Sequence, residues 1–474
     1  MNDETEGPYV FGVNASTGQP LSSEASGSIA EQLEQESKAS LAVGAPIPER
    51  DTFGVPFGFD LDNLSEVGWG IIFESTADPL PYLDALSKLV ELRRQQAGNR
   101  FRIFSGIDGY RKGESASKWL NRHGATLNLI DPCNDVPFYL TLVGPPTYIP
   151  FEFQYSLDIV AGVGRLDFPT LDEFSAYAQS VVNFELDDSR STRRDIDLFA
   201  TCHDFDRATQ LFNKCVARPL SQGDEKRDPL GKKYGFNINA FLDDQSTKAT
   251  LSKIMSNPHQ APSILFTGTH GMAFDFTDPR QLDNQGALVC QDWPGYGNIS
   301  SDHWFAAKDV PVNANVHGLI HFFFACYGAG TPEFDNFHFD TPSPPRLSTN
   351  PMTARLPQRL MTLSQGGALA SLGHIDRAWA SSFRANTGHN QTQGFRDVME
   401  RLMVGQRVGQ ATDTFNAQWG VLSTELVTIL NEKAYGKLIN DNDLLALRNS
   451  RDDLRNYVVL GDPAVKLKPH PDPV

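Results

Sequence analysis

The sequence lacks several features that would place it in a common class of protein. No run approaches the roughly 18 consecutive apolar residues of a membrane helix. Cysteine is scarce, with five widely spaced residues and no CxxC pair, so neither a disulfide framework nor a zinc site of the usual spacing is expected. Excess positive charge is also missing, because the net charge is −17, which argues against nucleic acid and anionic membranes as partners. The opening residues lack the positive region and apolar core of a secretory signal, so we expect a cytoplasmic protein in a reducing compartment.

What is present is ordinary for a globular protein, with 40% apolar and 21% charged residues over a length that suggests two or three domains. Residues 1–60 differ from the rest, because they are small, polar and rich in Pro and Gly. This composition predicts a flexible N-terminal arm or prosegment that the core does not need for folding. A further hypothesis is that the arm occludes the functional site before activation.

Strand and helix patterns alternate from residue 66 and restart after about residue 190. This alternation predicts mainly parallel sheets with helices on both faces, a three-layer α/β architecture. Two runs of the pattern predict two subdomains, at 61–190 and 191–474. One helix is predicted over TLDEFSAYAQSVVNFE, with Thr170 as its N-cap and Glu173 completing a capping box.

Two apolar strands carry reactive side chains at their carboxyl ends. The run GLIHFFFACYG ends near Cys326, and SILFTGTHG ends near His270. Because ligands bind beyond the carboxyl ends of parallel strands, we expect the thiol and the imidazole at one edge of the sheet. A thiol becomes a nucleophile when a base or cation is nearby, and Gly271 leaves room for backbone N–H groups to face an oxyanion. The pattern favours a cysteine nucleophile with a histidine base.

Structural interpretations compete with this one. A free cysteine or a lone histidine at a strand end is more often a buried core residue than a catalytic one, and only their joint placement favours catalysis. His317 begins the strand that Cys326 ends, which puts it roughly 30 Å away at ~3.3 Å per residue and excludes it as the base. His374 ends the strand ALASLGH at the same expected edge, which makes it the rival candidate for the base, and it is interpreted as a pocket residue.

A strand ending in His-Gly, followed by an apolar strand ending in Ala-Cys, resembles the clan CD cysteine peptidases, the caspase–gingipain–legumain–separase group. Within that group the sequence is most similar to the gingipain family, peptidase family C25. Further similarity lies in the stretches FYLTLVGPPTYIP, IVAGVGRLDFPTLDEFSAYAQSVVNFE, GGALASLGHIDRAW and YVVLGDPAVKL. Together these cover roughly residues 65–470 in the family's order. The resemblance implies that both predicted subdomains are caspase- or gingipain-like and that the second is catalytic.

The resemblance also implies roles for individual residues. Cys326 would be the nucleophile and His270 the general base and acid. The backbone N–H groups of Gly271 and Cys326 would form the oxyanion hole. Trp379 falls where the family places an aromatic wall of the S1 pocket, and an ordinary core aromatic is the competing interpretation.

Two carboxylates are also implied by the resemblance, one that holds the catalytic histidine and one that lines S1. In PFEFQYSLDIVAGVGR the candidates are Glu152 as the orienting group and Asp158 as the S1 acid, with a solvated loop carboxylate as the alternative for each. An acid at the pocket floor would recognise Arg, and less well Lys, through charge-assisted hydrogen bonds. We therefore expect cleavage after a basic residue.

The function expected from the sequence is that of a cytoplasmic cysteine endopeptidase acting on protein or peptide substrates. Its chemistry requires no metal or organic cofactor. One version of this hypothesis is a regulated protease that activates a partner protein in a cell-death or defence pathway. The alternative is a non-catalytic caspase-like scaffold or adaptor, against which the intact Cys326 and His270 argue. The sequence gives no indication of oligomeric state.

Overall fold

A computed structural model of the chain describes residues 9–21, 55–127, 129–134, 136–187, 193–257, 261–338, 344–384 and 390–468. The strands are β1 Gly12–Asn14, β2 Trp69–Ile72, β3 Phe101–Phe104, β4 Tyr139–Val143, β5 Gly162–Leu166, β6 Asp195–Ala200, β7 Asn237–Leu242, β8 Ile264–Gly268, β9 Gly271–Ala273, β10 Leu288–Val289, β11 Trp304–Phe305, β12 Ile320–Phe324, β13 Gly330–Thr331, β14 Met352–Thr353, β15 Ala370–His374 and β16 Tyr457–Gly461.

The α-helices in the same residues are α1 Leu64–Val67, α2 Leu80–Ala85, α3 Ser87–Ala97, α4 Ala116–Arg122, α5 Phe151–Asp158, α6 Leu171–Leu186, α7 Arg207–Phe212, α8 Arg218–Gln222, α9 Lys248–Met255, α10 Gln281–Asn284, α11 Arg355–Met361, α12 Gln393–Met403, α13 Val408–Ala411, α14 Asp413–Ala434 and α15 Asp441–Arg455. None of the helices in the described ranges combines the length and the apolar character that a membrane span requires.

The centre of the fold is a ten-stranded sheet with the order β3-β2-β4-β5-β16-β15-β12-β8-β6-β7. All neighbouring strands pair in parallel except β15 and β16. The first half of the sheet, which consists of β3, β2, β4, β5 and β16, therefore runs in one direction. The second half, which consists of β15, β12, β8, β6 and β7, runs in the opposite direction, and the antiparallel pair of β15 and β16 joins the two halves. The predicted mainly parallel α/β architecture is confirmed.

Both faces of the sheet are covered by apolar packing. In the first half, Ile71 and Tyr139 contribute to one core cluster, whereas their chain neighbours Ile72 and Leu140 contribute to a second cluster on the other face. Successive side chains of a strand point to opposite faces, so strands buried on both sides read as continuous apolar runs. The predicted limit near residue 190 falls between α6 and β6. We propose that it divides two subdomains that share this one sheet.

A buried ion pair ties the two halves together. Arg93 on α3 is fully buried, and its Nε lies 2.7 Å from Asp462 Oδ2, just after β16. Its Nη2 lies 2.6 Å from Glu185 Oε1, and Trp69 Nε1 donates to the other Asp462 oxygen at 2.9 Å. Burial opposes the charged form of Arg93, but the two carboxylates outweigh this and raise its pKa.

We expect Arg93→Ala to lower the free energy of unfolding by about 3–5 kcal/mol, because it leaves buried carboxylates without their cation. Arg94→Ala is the matched control, since Arg94 is half exposed and pairs with Glu91 at 3.7 Å on the surface. That control should cost no more than about 1 kcal/mol. Urea denaturation of both variants measures the difference, and equal losses would contradict this role of Arg93.

Helices explain most differences from the sequence prediction. The stretch that contains Glu152 and Asp158 forms α5, so neither carboxylate lies in a loop, and the buried residues of this helix include Phe151 and Phe153. The N-cap of α6 is confirmed, because the Thr170 side chain accepts a hydrogen bond from the backbone N–H of Glu173. The Glu173 carboxylate instead pairs with Arg355, at 2.6 Å.

Part of the N-terminal arm packs tightly instead of lying loosely on the surface. Phe11 and Val13 are fully buried, and β1 pairs in parallel with β9 in a small sheet of order β1-β9-β10-β11. Val13 joins a satellite core that includes Met272 and Trp293. The expectation of a flexible arm therefore does not hold for residues 9–21, and removing them would expose this core. The pattern IAEQLEQESKASLAV predicts one helix over residues 29–43, and this segment lies outside the described residues.

Candidate active site

The thiol and the imidazole lie at the same height on neighbouring strands. Strands β8 and β12 pair in parallel with Phe324 opposite Gly268, and Cys326 and His270 each follow two residues later. Thr269 N–H donates to Phe324 O at 3.1 Å, which continues the pairing to the edge. The register thus brings Cys326 and His270 to one edge of the sheet.

A sharp turn follows Cys326. Tyr327 has a φ of 60°, in the left-handed region that a non-glycine residue seldom occupies. This conformation is held by hydrogen bonds from Tyr327 N–H to Asp376 O at 2.7 Å and from Gly328 N–H to Ala325 O at 3.2 Å. Strained backbone of this kind concentrates at functional sites. The turn directs the chain away from the sheet immediately after the cysteine.

A buried carboxylate holds the imidazole of His270. Asp206 Oδ2 lies 3.0 Å from His270 Nε2 and also accepts a hydrogen bond from Thr209 N–H at 2.9 Å. The hydroxyl of Tyr296 donates to the other oxygen at 2.8 Å. Burial alone would raise the pKa of Asp206, but the charge and hydrogen bond of His270 and the Thr209 bonds hold it below its usual value. Asp206 is therefore an ionised acceptor that fixes the ring.

The other ring nitrogen of His270 remains available for chemistry. Nδ1 is buried and has no hydrogen-bond partner among the described residues. With Nε2 bonded to Asp206, Nδ1 is the atom that can exchange a proton with a reacting group. The centroid of the imidazole ring lies 5.8 Å from the centroid of the Phe11 ring, which belongs to the N-terminal segment.

The expectation that Glu152 orients the histidine is wrong, because Asp206 holds that position and Glu152 is exposed in the first turn of α5. A signal for Asp206 was present in the sequence. It N-caps α7 just after β6, and β6 is the sheet neighbour of β8. A carboxylate that follows a strand next to the histidine strand is within reach of the imidazole.

Cys326 is fully buried, and its sulfur lies against the segment that follows β15. Ala378 N–H donates to Sγ at 3.2 Å. Burial raises the pKa of the Cys326 thiol well above its ordinary value, and the Ala378 N–H offsets this only in part. In the conformation described the cysteine is therefore a neutral thiol.

Two backbone donors converge beside the thiol. Gly271 N–H and Cys326 N–H both donate to the carbonyl oxygen of Phe11, at 2.9 and 2.8 Å. These are the two N–H groups expected from the sequence to form the oxyanion hole. Only glycine fits at 271, because a Cβ there would lie 1.9 Å from Cys326 O. The structure thus brings two donors onto one carbonyl oxygen next to a cysteine, an arrangement that can stabilise an oxyanion.

We expect Gly271→Ala to lower kcat by roughly 10²-fold or more, because the added Cβ must displace the backbone of Cys326 and misalign both donors. Gly394→Ala is the matched control, since a Cβ at this helical glycine meets only side-chain atoms, the nearest at 3.2 Å. Steady-state kinetics on a peptide substrate, with circular dichroism for folding, measure the effect. Equal activity in the two variants would contradict the assignment of these donors.

Trp379 and His374, which were expected to line the substrate pocket, are both buried. Trp379 lies opposite Val10 in an antiparallel bridge, and its ring contacts Phe337 at a centroid distance of 5.2 Å. His374 is buried behind Phe324, with ring centroids 5.7 Å apart.

Asp453 fixes both residues and the segment between them. It accepts hydrogen bonds from His374 Nε2 at 2.9 Å and from Trp379 N–H at 3.1 Å. The hydroxyls of Ser381 and Ser382 donate to its second oxygen at 3.0 and 2.6 Å. This carboxylate therefore has its hydrogen-bond partners already and holds the 379–382 segment in place.

Asp158 lies away from the thiol, at the end of α5. Its carboxylate accepts hydrogen bonds from Val163 N–H at 3.0 Å and from Asn416 Nδ2 at 3.2 Å. Burial raises the pKa of Asp158 to about 7, although these hydrogen bonds lower it in part. The expectation that Asp158 is the floor of the S1 pocket is wrong, because the structure places it between α5 and α14.

In the described ranges, no group of three or more His, Cys, Asp or Glu residues is arranged to hold a metal ion.

Comparisons with known proteins identify the family of the chain. The model of the family described as Peptidase family C25 matches residues 83–468. None of the curated proteins matches the chain. Among solved structures, the chain is similar to the Arg-specific cysteine proteinase gingipain R, with 13% identity, a TM-score of 0.47, and coverage of 90% of this chain and 80% of that one. It is also similar to a complex of the pro- and mature domains of RgpB from Porphyromonas gingivalis, with 12% identity, a TM-score of 0.48, and coverage of 85% and 80%.

Proposed function

The chain belongs to peptidase family C25 and is a cysteine-type endopeptidase, and we propose that Cys326 and His270 are its catalytic dyad. Cys326 is the nucleophile, His270 the general base and acid, and Asp206 the residue that positions His270. The observation that carries this proposal is the convergence of the Gly271 and Cys326 N–H groups on one carbonyl oxygen.

The chemistry follows from the positions of these groups. The Cys326 thiol gives its proton to His270 Nδ1. The thiolate then attacks the carbonyl carbon of the scissile peptide bond, whose oxygen takes negative charge between the two N–H groups. The leaving amine receives a proton from His270 Nδ1, and a thioester to Cys326 remains. Water then enters, gives a proton to His270, and releases the acyl group as a carboxylate. Asp206 keeps the imidazole in one orientation through both steps.

The predicted preference for Arg or Lys at P1 loses its structural support. It depended on Asp158 as the pocket acid, and that carboxylate already accepts hydrogen bonds from Val163 and Asn416. Asp453 binds the segment that follows Ala378, beside the thiol, and its carboxylate already accepts hydrogen bonds from that segment as well. Neither carboxylate is therefore free to pair with a guanidinium, and burial of a guanidinium without such a partner is costly.

We also propose that the enzyme works in a reducing compartment such as the cytoplasm. The five cysteines are free thiols, which supports this location. A reducing compartment also keeps the nucleophilic cysteine in the thiol form that its chemistry requires. The role of a regulated protease that activates a partner protein in cell-death or defence remains a prediction.

The test of the proposed function is digestion of a peptide library by the purified enzyme. Wild-type enzyme should release fragments with a common residue type before the cut, and Cys326→Ala should release none. A library left intact by both proteins would reject the peptidase assignment and favour the scaffold or adaptor alternative. Cleavage that persists in Cys326→Ala would reject the nucleophile.

A further inference from the structure

Residues 9–14, called here the tethered segment, lie along the active site with the backbone pattern of a bound peptide. Phe11 N–H donates to Ala378 O at 2.9 Å, and Ala380 N–H donates to Tyr9 O at 2.9 Å. Val10 faces Trp379 between these bonds, in antiparallel pairing. Extended peptides add to the exposed edges of peptide-binding proteins through main-chain bonds of this kind.

The tethered segment presents one particular bond to the nucleophile. The carbonyl oxygen of Phe11 accepts the Gly271 and Cys326 N–H bonds, so the peptide bond that follows Phe11 lies at the reacting position. A Cβ on the next residue, Gly12, would lie 2.9 Å from Cys326 Sγ. Glycine at 12 therefore lets the chain approach the sulfur closely. In peptidase terms Phe11 is the P1 residue and Gly12 the P1′ residue.

The side chain of Phe11 shows what the S1 pocket accepts. It is fully buried, and its ring lies at centroid distances of 4.7 Å from Phe324 and 5.8 Å each from Phe212 and Phe383. The imidazole of His270 is the fourth neighbouring ring, at 5.8 Å. Edge-to-face aromatic packing of this kind favours a large apolar side chain.

We propose that S1 takes large apolar side chains, aromatic ones above all, and that the tethered segment is an intramolecular substrate that the enzyme cuts between Phe11 and Gly12. This inference rests on the proposed function. It replaces the basic P1 preference expected from the sequence and assigns a role to a segment of the N-terminal arm.

The cut uses the chemistry of the dyad, and water is the only other reactant. The Cys326 thiol passes its proton to His270, and its sulfur bonds to the Phe11 carbonyl carbon. The bond between that carbon and the Gly12 nitrogen then breaks, the Gly12 amine takes the proton from His270, and the Phe11 acyl group remains as a thioester on Cys326. Water hydrolyses the thioester, which leaves a carboxylate on Phe11 and a free thiol. No atom is oxidised or reduced.

After the cut, the residues that follow Gly12 remain anchored. The N–H of Leu21 donates to Gly12 O and the N–H of Asn14 to Gln19 O, each at 2.9 Å, so residues 12–21 form a hairpin. That hairpin stays paired with β9 through Val13 and Asn14. Loss of the residues before Gly12 would open S1 and leave the small sheet intact. Cutting here therefore activates the enzyme, whereas deleting all of 1–50 would also remove β1.

The first arm of the test is the N-terminus of the purified full chain, read by intact mass and N-terminal sequencing. Wild type should begin at Gly12, and Cys326→Ala should keep every residue before it. Phe11→Leu should be cut, whereas Phe11→Arg should be cut roughly 10- to 100-fold more slowly. A wild-type chain that keeps the residues before Gly12 overturns the inference, as does Phe11→Arg cut as fast as wild type.

The second arm is a panel of fluorogenic peptides that differ only at P1, with Phe, Leu, Arg, Lys and Asp. We expect kcat/KM for Phe and Leu to exceed that for Arg by at least roughly 10-fold. Preference for Arg or Lys overturns the inference but leaves the peptidase assignment intact. Loss of activity on every peptide, together with an uncut wild-type chain, would instead reject the proposed function itself.

Discussion

Replacing either member of the dyad should abolish peptidase activity while the protein stays folded. We expect Cys326→Ala and His270→Ala each to lower kcat/KM by about 10⁴-fold or more, and the double variant to be no worse than either single one. The reason is that thiol and imidazole act as one unit, so removing the second partner takes away nothing that still functions. Purified variants with residues 1–11 already absent should be compared, so that self-cleavage does not confuse the measurement.

Two controls separate catalysis from folding. Cys290→Ala removes another fully buried thiol, that of the residue directly after β10, and should leave kcat/KM close to the wild-type value. His321→Gln changes a buried histidine inside β12 whose Nε2 lies 3.1 Å from Thr267 Oγ1, and should cost stability rather than chemistry. A Cys326→Ala enzyme with most of its activity would show that the dyad is assigned incorrectly, as would additive losses in the double variant.

The second large effect is expected at Asp206. Asp206→Asn should lower kcat by roughly 10²–10⁴-fold with little change in KM, because the carboxylate holds His270 and does not contact the substrate. Asp206→Glu should recover part of the loss. Glu152→Gln is the matched control and should have no effect, since Glu152 is exposed on α5. A rise in KM at unchanged kcat would contradict a role in positioning the imidazole.

The pH dependence of stability gives Asp206 an independent test. Because its pKa is lowered in the folded state, the carboxylate contributes stability that is fully present above its unfolded pKa of about 3.9. This contribution is lost as the pH falls through the lower folded value. The difference in unfolding free energy between wild type and Asp206→Asn should therefore be largest near neutral pH and shrink below about pH 4. A difference that grows on acidification would contradict a lowered pKa of Asp206 in the folded protein.

Features carried by local sequence pattern were predictable. Continuous apolar runs identified the strands that end near His270 and Cys326, because a strand buried on both faces has apolar residues at successive positions instead of alternating apolar and polar ones. Adjacent strands in parallel then place their carboxyl ends together. The expectation that thiol and imidazole share an edge follows from that rule alone.

Features that depend on contacts between distant residues were not predictable. Asp206 reaches His270 from the N-cap of α7, and although it follows an apolar strand, local pattern does not reveal that this strand, β6, lies beside β8. The reversal of direction between β15 and β16 has the same cause. Phe11 lies in a polar, Pro- and Gly-rich arm, where composition predicts loose packing, and its burial depends on Phe212, Phe324 and Phe383. Composition describes the average of a segment and cannot identify one anchored residue within it.

The most direct test of the central claim, that the Cys326 thiol attacks the carbonyl held by the two N–H groups, is to map a covalent adduct. Enzyme is treated with peptidyl acyloxymethyl ketones that carry Phe, Leu or Arg at P1, and the modified residue is found by peptide mass spectrometry. The account predicts one adduct per chain, on Cys326, formed by wild type and not by His270→Ala. An adduct on Cys133, Cys202, Cys215 or Cys290 that abolishes activity, with Cys326 unmodified, would contradict it.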